Sequence, residues 1–239
     1  MRVGCCGFPV ARASYYRRFD AVELVSPFYD LPRIETARAW RAEAPEGFDF
    51  SLKAPLLITH PASNPSYERR RGKLPGRPGR FGHFQDSDEV RAAFAATQEL
   101  VEVLGARFLL FQTPPSFHPG AESLRALCRF FKGAPRGRAS FVWEPHGGWE
   151  PSVVERVCAD LDLLRVCDPL RDEPPRRGSA LYCRVHGALD AATHARAHEF
   201  GDPDLALLRE RCPARTWLFF GNRASFRDAG RFKKLMGIL

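Results

Sequence analysis

The chain has 239 residues, 44% of them apolar and 27% charged, which is a globular composition and suits a single α/β domain. No run reaches the ~18 apolar residues of a membrane span and no signal peptide precedes the first strand pattern, so we expect a cytoplasmic protein without a membrane partner. The seven cysteines contain no Cys-x-x-Cys pair, which argues against a zinc ribbon, and the formal net charge of +8 favours anionic partners such as nucleic acids or phosphorylated metabolites.

Four strand patterns occupy the first half of the chain, separated by helical or turn patterns. The strands are predicted at residues 2–6, 21–24, 48–54 and 107–112. The third of them alternates apolar and polar residues strictly, as strands do. Helices are predicted at residues 32–44 and 86–104, and in the second helix Asp86 is expected to be the N-cap with Glu89 as its capping-box partner.

A long basic connection spans residues 55–85, between the third strand and the helix that follows it. Against the single acid Glu68 it carries Arg69, Arg70, Arg71, Lys73, Arg77 and Arg80. Connections of this length inside a compact domain are usually functional or disordered. A charge run of this kind is more often a solvated loop than a nucleic-acid site, so nucleic-acid binding by residues 69–80 is kept as an alternative.

The second half of the chain repeats the alternation of strand and helix. Strands are predicted at residues 141–143, 163–167, 180–185 and 216–220, and Ser225 is expected to cap the last helix. Eight such strands without a break in composition predict a single TIM-type (β/α)8 barrel over residues 1–239, with the basic connection after its third strand. An open doubly wound sheet is the alternative. It lacks the usual Gly-x-Gly-x-x-Gly fingerprint, so no nucleotide cofactor is expected.

Polar or ionisable side chains stand at or near the end of every predicted strand. In chain order they are Cys6, Glu23, Lys53, Gln112, Glu144, Asp168, Arg184 with His186, and Asn222. The carboxyl ends of barrel strands converge on one mouth, where the active sites of such barrels lie. We therefore expect these side chains to surround one site. Structural ion pairs are the alternative, because buried charges are costly unless they pair or meet a ligand.

The residue types at this expected mouth predict acid–base chemistry on an anionic substrate. The expected catalytic groups are Glu144, His186, Asp168 and Glu23. The expected substrate-binding groups are Lys53, Arg184, Gln112, Asn222, His146 and His60. Pairing with Glu23 is an equal alternative for Lys53, and His60 is either a lid residue or a turn residue at the start of the basic connection.

A divalent metal is compatible with carboxylates and imidazoles at a barrel mouth. The chain has no metal-spacing motif, so the requirement for a metal is left open. If a metal binds, its expected ligands are Glu144, Asp168 and His186.

Short stretches spread over nearly the whole chain carry a family resemblance. They are Gly4-Cys5-Cys6-Gly7-Phe8, Val22-Glu23 with Phe28-Tyr29, Lys53-Ala54-Pro55 with Ile58-Thr59-His60, Phe111-Gln112 with Pro115-Ser116-Phe117, Trp143-Glu144-Pro145, Asp168-Pro169, Arg184-Val185-His186-Gly187 and Phe219-Phe220-Gly221-Asn222. Through them the chain resembles the YecE-like family, the domain of unknown function numbered 72, and within it the archaeal-type branch. His146 replaces an arginine of that branch, and Gly221 stands where a second asparagine is common. The resemblance implies a TIM-type barrel and no settled reaction.

Two classes of function follow from these patterns. The first is an enzyme that acts on a phosphate-bearing or other anionic substrate, with hydrolysis, for example of a phosphodiester, as the leading reaction. Carbohydrate isomerisation fits the same groups almost as well. The second class is a non-catalytic nucleic-acid-binding protein that uses the basic connection. The oligomeric state is left open.

Overall fold

Eight parallel strands form the frame of the structure, a computed structural model that describes residues 1–174, 180–187 and 198–238. The strands are β1 (Arg2–Cys6), β2 (Ala21–Leu24), β3 (Asp49–Lys53), β4 (Phe108–Gln112), β5 (Ser140–Glu144), β6 (Leu164–Cys167), β7 (Leu181–Val185) and β8 (Thr216–Phe220). They follow chain order around a closed barrel, and β1 pairs in parallel with β8 to close it. The predicted TIM-type barrel is confirmed.

Helices alternate with the strands, as predicted. In the described part of the chain they are α1 (Arg12–Tyr16), α2 (Ile34–Glu43), α3 (Leu56–Thr59), α4 (Asp88–Leu104), α5 (Ala121–Gly133), α6 (Pro151–Asp160), α7 (Asp202–Arg211) and α8 (Ser225–Met236), with 3-10 turns at Ser26–Phe28, Pro65–Arg69 and Pro78–Arg80. Within those described residues, no helix combines the length and the apolar character that crossing a lipid bilayer requires.

Two predicted helix starts are wrong by one residue. Ser87, not Asp86, is the N-cap of α4, because the Ser87 Oγ accepts a 3.2 Å hydrogen bond from the Val90 amide. At the start of α8, Ser225 is already helical, and the N-cap Ala224 makes no side-chain cap. The choice between neighbouring polar residues depends on the backbone angles of one residue, which the spacing of residue types does not reveal.

The contacts of the chain group into two compact units. The first unit is Met1–Leu24, Glu43–Asp49 and Val166–Leu239, and the second unit is Val25–Ala42 and Phe50–Arg165. In the first unit the buried Tyr15 hydroxyl joins β1 to β2, since it accepts from the Cys5 amide at 2.7 Å and donates to the Ala21 carbonyl at 2.8 Å. The expectation of a single domain over residues 1–239 stays a prediction.

A cluster of phenylalanine side chains fills the second unit between α4, α5 and β4. The Phe130 ring lies 5.1 Å, centroid to centroid, from the rings of both Phe84 and Phe94. Phe111 and Phe131 continue the cluster in an edge-to-face pair with the same separation of 5.1 Å. Such pairs add to the free energy gained from burial, so the cluster anchors the two helices on the strand.

The basic connection between β3 and α4 is structured. Arg70 forms an ion pair with Asp30 at 3.5 Å, and Arg80 forms one with Glu89 at 2.6 Å. Glu89 therefore serves as the partner of Arg80 and not as the capping-box residue predicted for Asp86. Because α3 and two 3-10 turns lie within this stretch, it has regular local structure. Its expected function stays a prediction.

Strand β3 is buried on both of its faces. Its alternation of apolar and polar residues is real, yet Ser51 and Lys53 of the polar set are only 1% and 6% exposed. Strands of parallel barrels are covered on both faces, so a polar residue on such a strand lies inside the protein and needs a partner there.

Candidate functional site

A row of polar side chains lies at the carboxyl ends of three neighbouring strands of the second unit. We call it the strand-end relay, and it consists of Lys53, Gln112, Glu144 and His146. The Lys53 Nζ donates to Gln112 Oε1 at 2.7 Å, and Gln112 Nε2 donates to Glu144 Oε2 at 2.5 Å. The other carboxylate oxygen, Glu144 Oε1, lies 3.8 Å from His146 Nε2. An ammonium group is thus connected to an imidazole through an amide and a carboxylate.

The strand register brings the relay together. Lys53, Gln112 and Glu144 are the last residues of β3, β4 and β5, and Gln112 stands directly opposite Glu144 in the β4–β5 ladder. After Glu144 the chain turns at Gly147, where φ is 100° and a Cβ would lie 2.6 Å from the Pro115 carbonyl oxygen. Glycine is needed at that turn because a side chain would collide with the backbone of the neighbouring segment.

The relay runs from a buried cation to an exposed imidazole. Lys53 is 6% exposed, and its Nζ lies 3.8 Å from the centroid of the Phe28 ring, a cation–π contact. The exposed fraction rises to 14% for the Glu144 side chain and 46% for that of His146. A ligand can therefore reach the carboxylate and the imidazole, while the ammonium acts on them from the buried side.

His60 packs against the same Phe28 ring as Lys53. Burial, with smaller contributions from Lys53 and His146, lowers the pKa of His60 to about 3, so the imidazole is neutral at pH 7. Its Nδ1 is 2.8 Å from the Thr59 Oγ1, and its ring packs edge-on against Phe28 at 4.9 Å. His60 is thus a buried ring contact of Phe28, and its predicted substrate-binding role stays a prediction.

A second polar group lies in the first unit, and we call it the buried ion-pair cluster: Glu23, Tyr182 and Arg184. The two oxygens of Glu23 accept hydrogen bonds from Arg184 Nη2 at 2.9 Å and from the Tyr182 hydroxyl at 2.7 Å. The side chains of Glu23 and Arg184 are 0% and 2% exposed. Both carboxylate oxygens are thus occupied by protein donors, which favours the structural alternative for Glu23 and Arg184.

His186 lies against the backbone of Gly221, just after β8. A Cβ on residue 221 would fall 1.9 Å from His186 Nδ1 and 3.2 Å from the Cys6 Sγ. The imidazole therefore occupies the space that any larger residue at position 221 would fill. Gly221, which stands where an asparagine is common in the family, thus leaves space for the ring of His186, which we predicted to transfer a proton.

Asp168 and Asn222 each contact residues that are close to them in the sequence and lie in the first unit. The Asp168 Oδ1 accepts from the Leu170 amide at 3.1 Å, and its other oxygen is 3.6 Å from the Arg171 Nε. The Asn222 Nδ2 donates to Asp228 Oδ2 at 2.8 Å. These contacts orient both side chains, and a catalytic role for Asp168 or a binding role for Asn222 stays a prediction.

The family model described as "Protein of unknown function DUF72" matches residues 11–238 of the chain. The chain belongs to the DUF72 family. This confirms the family resemblance at the level of DUF72. No curated protein matches the sequence of this DUF72 protein.

Solved structures share its fold. A DUF72 family protein from Enterococcus faecalis has 18% identity and a TM-score of 0.71, with 100% of this chain and 98% of that one covered. A DUF72 family protein from Thermotoga maritima has 20% identity and a TM-score of 0.70, with coverages of 99% and 98%. Endonuclease IV from Thermus thermophilus has 12% identity and a TM-score of 0.56, with both chains covered completely. At these identities the likeness shows the fold alone.

A metal site in this DUF72 protein would need several donor side chains grouped around one position. Across residues 1–174, 180–187 and 198–238, no three His, Cys, Asp or Glu side chains are grouped in a way that could hold an ion. The set Glu144, Asp168 and His186, expected if a metal binds, therefore gains no support from the structure.

Several residues of these clusters escaped the sequence analysis. Phe28, which lies under the Lys53 ammonium, was noted only within a family-like stretch, and Asp228, which is fully buried beside Asn222, was not noted at all. An aspartate in the first turn of a helix ordinarily indicates a favourable dipole contact at the surface, so its spacing gave no signal of burial.

Proposed function

We propose that this DUF72 protein is an enzyme that performs general acid–base chemistry on a phosphate-bearing or other anionic substrate at the strand-end relay. The observation that carries the proposal is the continuous contact from Lys53 through Gln112 to Glu144, with His146 beside the carboxylate. Gln112 holds one oxygen of Glu144, and the other oxygen lies 3.8 Å from His146 Nε2. An oriented, partly exposed carboxylate next to an imidazole is the arrangement that proton transfer requires.

For hydrolysis of a phosphodiester, we propose the following assignment. Glu144 accepts a proton from the attacking water, whose oxygen forms a bond to phosphorus. The bond from phosphorus to the leaving oxygen breaks, and that oxygen takes a proton from protonated His146. Lys53 supplies positive charge that favours the developing negative charge, and its burial strengthens this effect because the local dielectric constant is low.

The remaining predicted residues receive other roles in the proposal. Glu23 and Arg184 support the fold through their closed ion pair, and His60 supports the Phe28 ring. Asp168, His186 and Asn222 are predicted as further contacts of the substrate. We route no step through a metal, because the described donors do not group around one position.

The proposal is tested by the rate of hydrolysis of bis(4-nitrophenyl) phosphate, measured with Mn²⁺ and separately with EDTA. Glu144→Gln keeps the size of the side chain and its contact with Gln112 but removes the base. We expect it to lower kcat/KM by about 100-fold or more. Glu150→Gln is the matched control, since Glu150 is an exposed glutamate just before α6. A wild-type protein without activity, or equal rates for Glu144→Gln and wild type, would refute hydrolysis at the relay.

The isomerase alternative uses the same residues and is separated by substrate. Conversion of an aldose phosphate to a ketose phosphate, in place of diester hydrolysis, would show isomerisation, in which we assign to Glu144 the transfer of a proton between two carbons. Loss of this conversion in Glu144→Gln would keep the relay as the site. Its persistence in that variant would exclude the relay.

Nucleic-acid binding by the basic connection is less well supported. Arg70 and Arg80 are engaged with Asp30 and Glu89. The exposed cations of residues 69–80 that no carboxylate in the described part of the chain pairs with are Arg69, Arg71, Lys73 and Arg77. Salt-dependent binding of single-stranded DNA that survives Glu144→Gln but is lost when these four are changed to Gln would favour this alternative.

We further propose that the chain lies within the YecE-like part of DUF72, in its archaeal-type branch. The sequence Trp143-Glu144-Pro145 followed by Gly147 supports this placement. The branch pattern and the relay share Glu144, and His146 of the relay stands where the branch has an arginine.

A further inference from the structure

Two neighbouring cavities between α4 and α5 lie outside the strand-end relay. One has a volume of about 560 Å³ and is mainly apolar, with Val90, Phe94 and Phe130 among its walls. The other has a volume of about 870 Å³ and is mainly polar, with His83 and Arg125 among its walls. Volumes in this range are those of small-molecule sites.

The two cavities share part of their lining. Phe84, Gln85, Asp86 and Arg129 line both, so the apolar space opens next to the polar one. Phe84 and Phe130 are in ring contact at 5.1 Å and form a rigid aromatic floor. A ligand that spanned both cavities would need an apolar body and a polar head in direct succession.

Two arginines of the polar cavity, one of which also belongs to the shared lining, define the head. Arg125 and Arg129 stand four residues apart on α5, which places them on one face of the helix. In the part of the chain that the structure describes, neither guanidinium takes part in an ion pair or a side-chain hydrogen bond. Of the two carboxylates that line the polar cavity, Asp86 is already paired with Arg91 and Glu122 interacts with His83. The head that complements this pair of arginines is an anion.

We propose that this groove binds a small anionic amphiphile. Its apolar body, an aromatic ring system or short acyl chain, lies on Phe84, Phe94 and Phe130. Its carboxylate, sulfonate or phosphate lies between Arg125 and Arg129. Burial of the body supplies affinity, and the two guanidinium groups select the charge of the head.

The test uses 8-anilinonaphthalene-1-sulfonate, with the uncharged N-phenyl-1-naphthylamine as the matched probe that lacks the sulfonate. Fluorescence titration of the full chain is expected to show saturable binding of one sulfonated probe per chain. We expect affinity for it to fall about tenfold in Arg129→Ala. Lys132→Ala, on the same helix but outside both linings, is expected to bind as wild type does. Ala95→Phe is expected to fill the apolar cavity and abolish binding.

Several results would overturn the proposal. They are the absence of saturable binding, equal affinity of Arg129→Ala and Lys132→Ala, and equal affinity for the charged and uncharged probes. Self-association that Ala95→Phe abolishes would show a second copy in the groove and would also overturn it. Loss of binding in Glu144→Gln would place the probe at the relay, whereas retained binding there supports a separate site.

Discussion

The strand-end relay and the buried ion-pair cluster use similar residues in opposite ways. Each sets a carboxylate at or near the end of a strand within reach of a cation. In the ion-pair cluster, both oxygens of Glu23 accept hydrogen bonds from protein donors, and the side chain has no exposed surface. In the relay, one oxygen of Glu144 accepts a hydrogen bond from Gln112, and the side chain is partly exposed beside His146.

This difference distinguishes a carboxylate with a structural role from one that can take part in catalysis. A buried carboxylate whose oxygens are both occupied stabilises its surroundings but has no proton acceptor left for a substrate. A carboxylate that one amide orients and that remains partly exposed can still reach a substrate. Strand-end position alone therefore does not mark a catalytic residue, and the exposure of its side chain does.

The largest expected effect tests the ion-pair cluster. Glu23→Ala leaves the Arg184 guanidinium buried without its carboxylate, and we expect the free energy of unfolding to fall by about 3–5 kcal/mol. Urea denaturation measures this. The double variant Glu23→Leu with Arg184→Met removes both charges and is expected to recover most of the loss. A single variant as stable as wild type would contradict the structural role of the pair.

The next effect is a pH dependence that arises beneath the relay. Burial lowers the pKa of His60 from its ordinary value of 6.5 to about 3. Between these two pH values the unfolded chain binds a proton at His60 that the folded protein does not bind. This contribution to stability is present above about pH 6.5 and is lost as the pH falls. It amounts to about 2 kcal/mol between pH 7 and pH 5.

Urea denaturation at those two pH values measures the contribution of His60 to the free energy of unfolding. His60→Gln is expected to lower stability at pH 7 and to lose less stability than wild type on acidification. Equal losses in the two proteins would show that His60 is already protonated, or exposed, in the folded state.

The smallest effect tests how the relay is held together. Gln112→Leu removes the amide that joins Lys53 to Glu144 while keeping a similar volume. We expect a loss of about 1 kcal/mol, because two hydrogen bonds to charged groups are replaced in part by water at this partly exposed position. Thermal denaturation measures it, and the control is Gln98→Leu on α4, which removes an amide that donates to the Pro135 carbonyl outside the relay. A loss as large as that of Glu23→Ala would mean that the relay is as closed as the ion-pair cluster.

The fold was predictable because its signals are periodic and repeated. Eight apolar runs punctuated by Gly, Pro or charged residues identify the strands, and the barrel follows from their alternation with helices. The polar strand ends were also predictable by position. The expectation that all of them surround one mouth stays a prediction.

What the sequence did not reveal is which side chain meets which. Lys53 was expected to bind an anion or Glu23, and the structure places it on Gln112 and Phe28. Asp86 was predicted to be the N-cap of α4, and the structure has Ser87 in that position. Such choices depend on differences of an ångström between neighbouring rotamers and backbone angles, and a pattern of residue types does not contain them.

The central claim is that Lys53, Gln112 and Glu144 act as one functional unit. A double-mutant cycle of Lys53→Met and Glu144→Gln on kcat/KM for bis(4-nitrophenyl) phosphate tests it most directly. We predict that the double variant is about as slow as the slower single variant, because either change disables the same relay. Losses that multiply in the double variant would contradict it, since they would show that the two residues act independently.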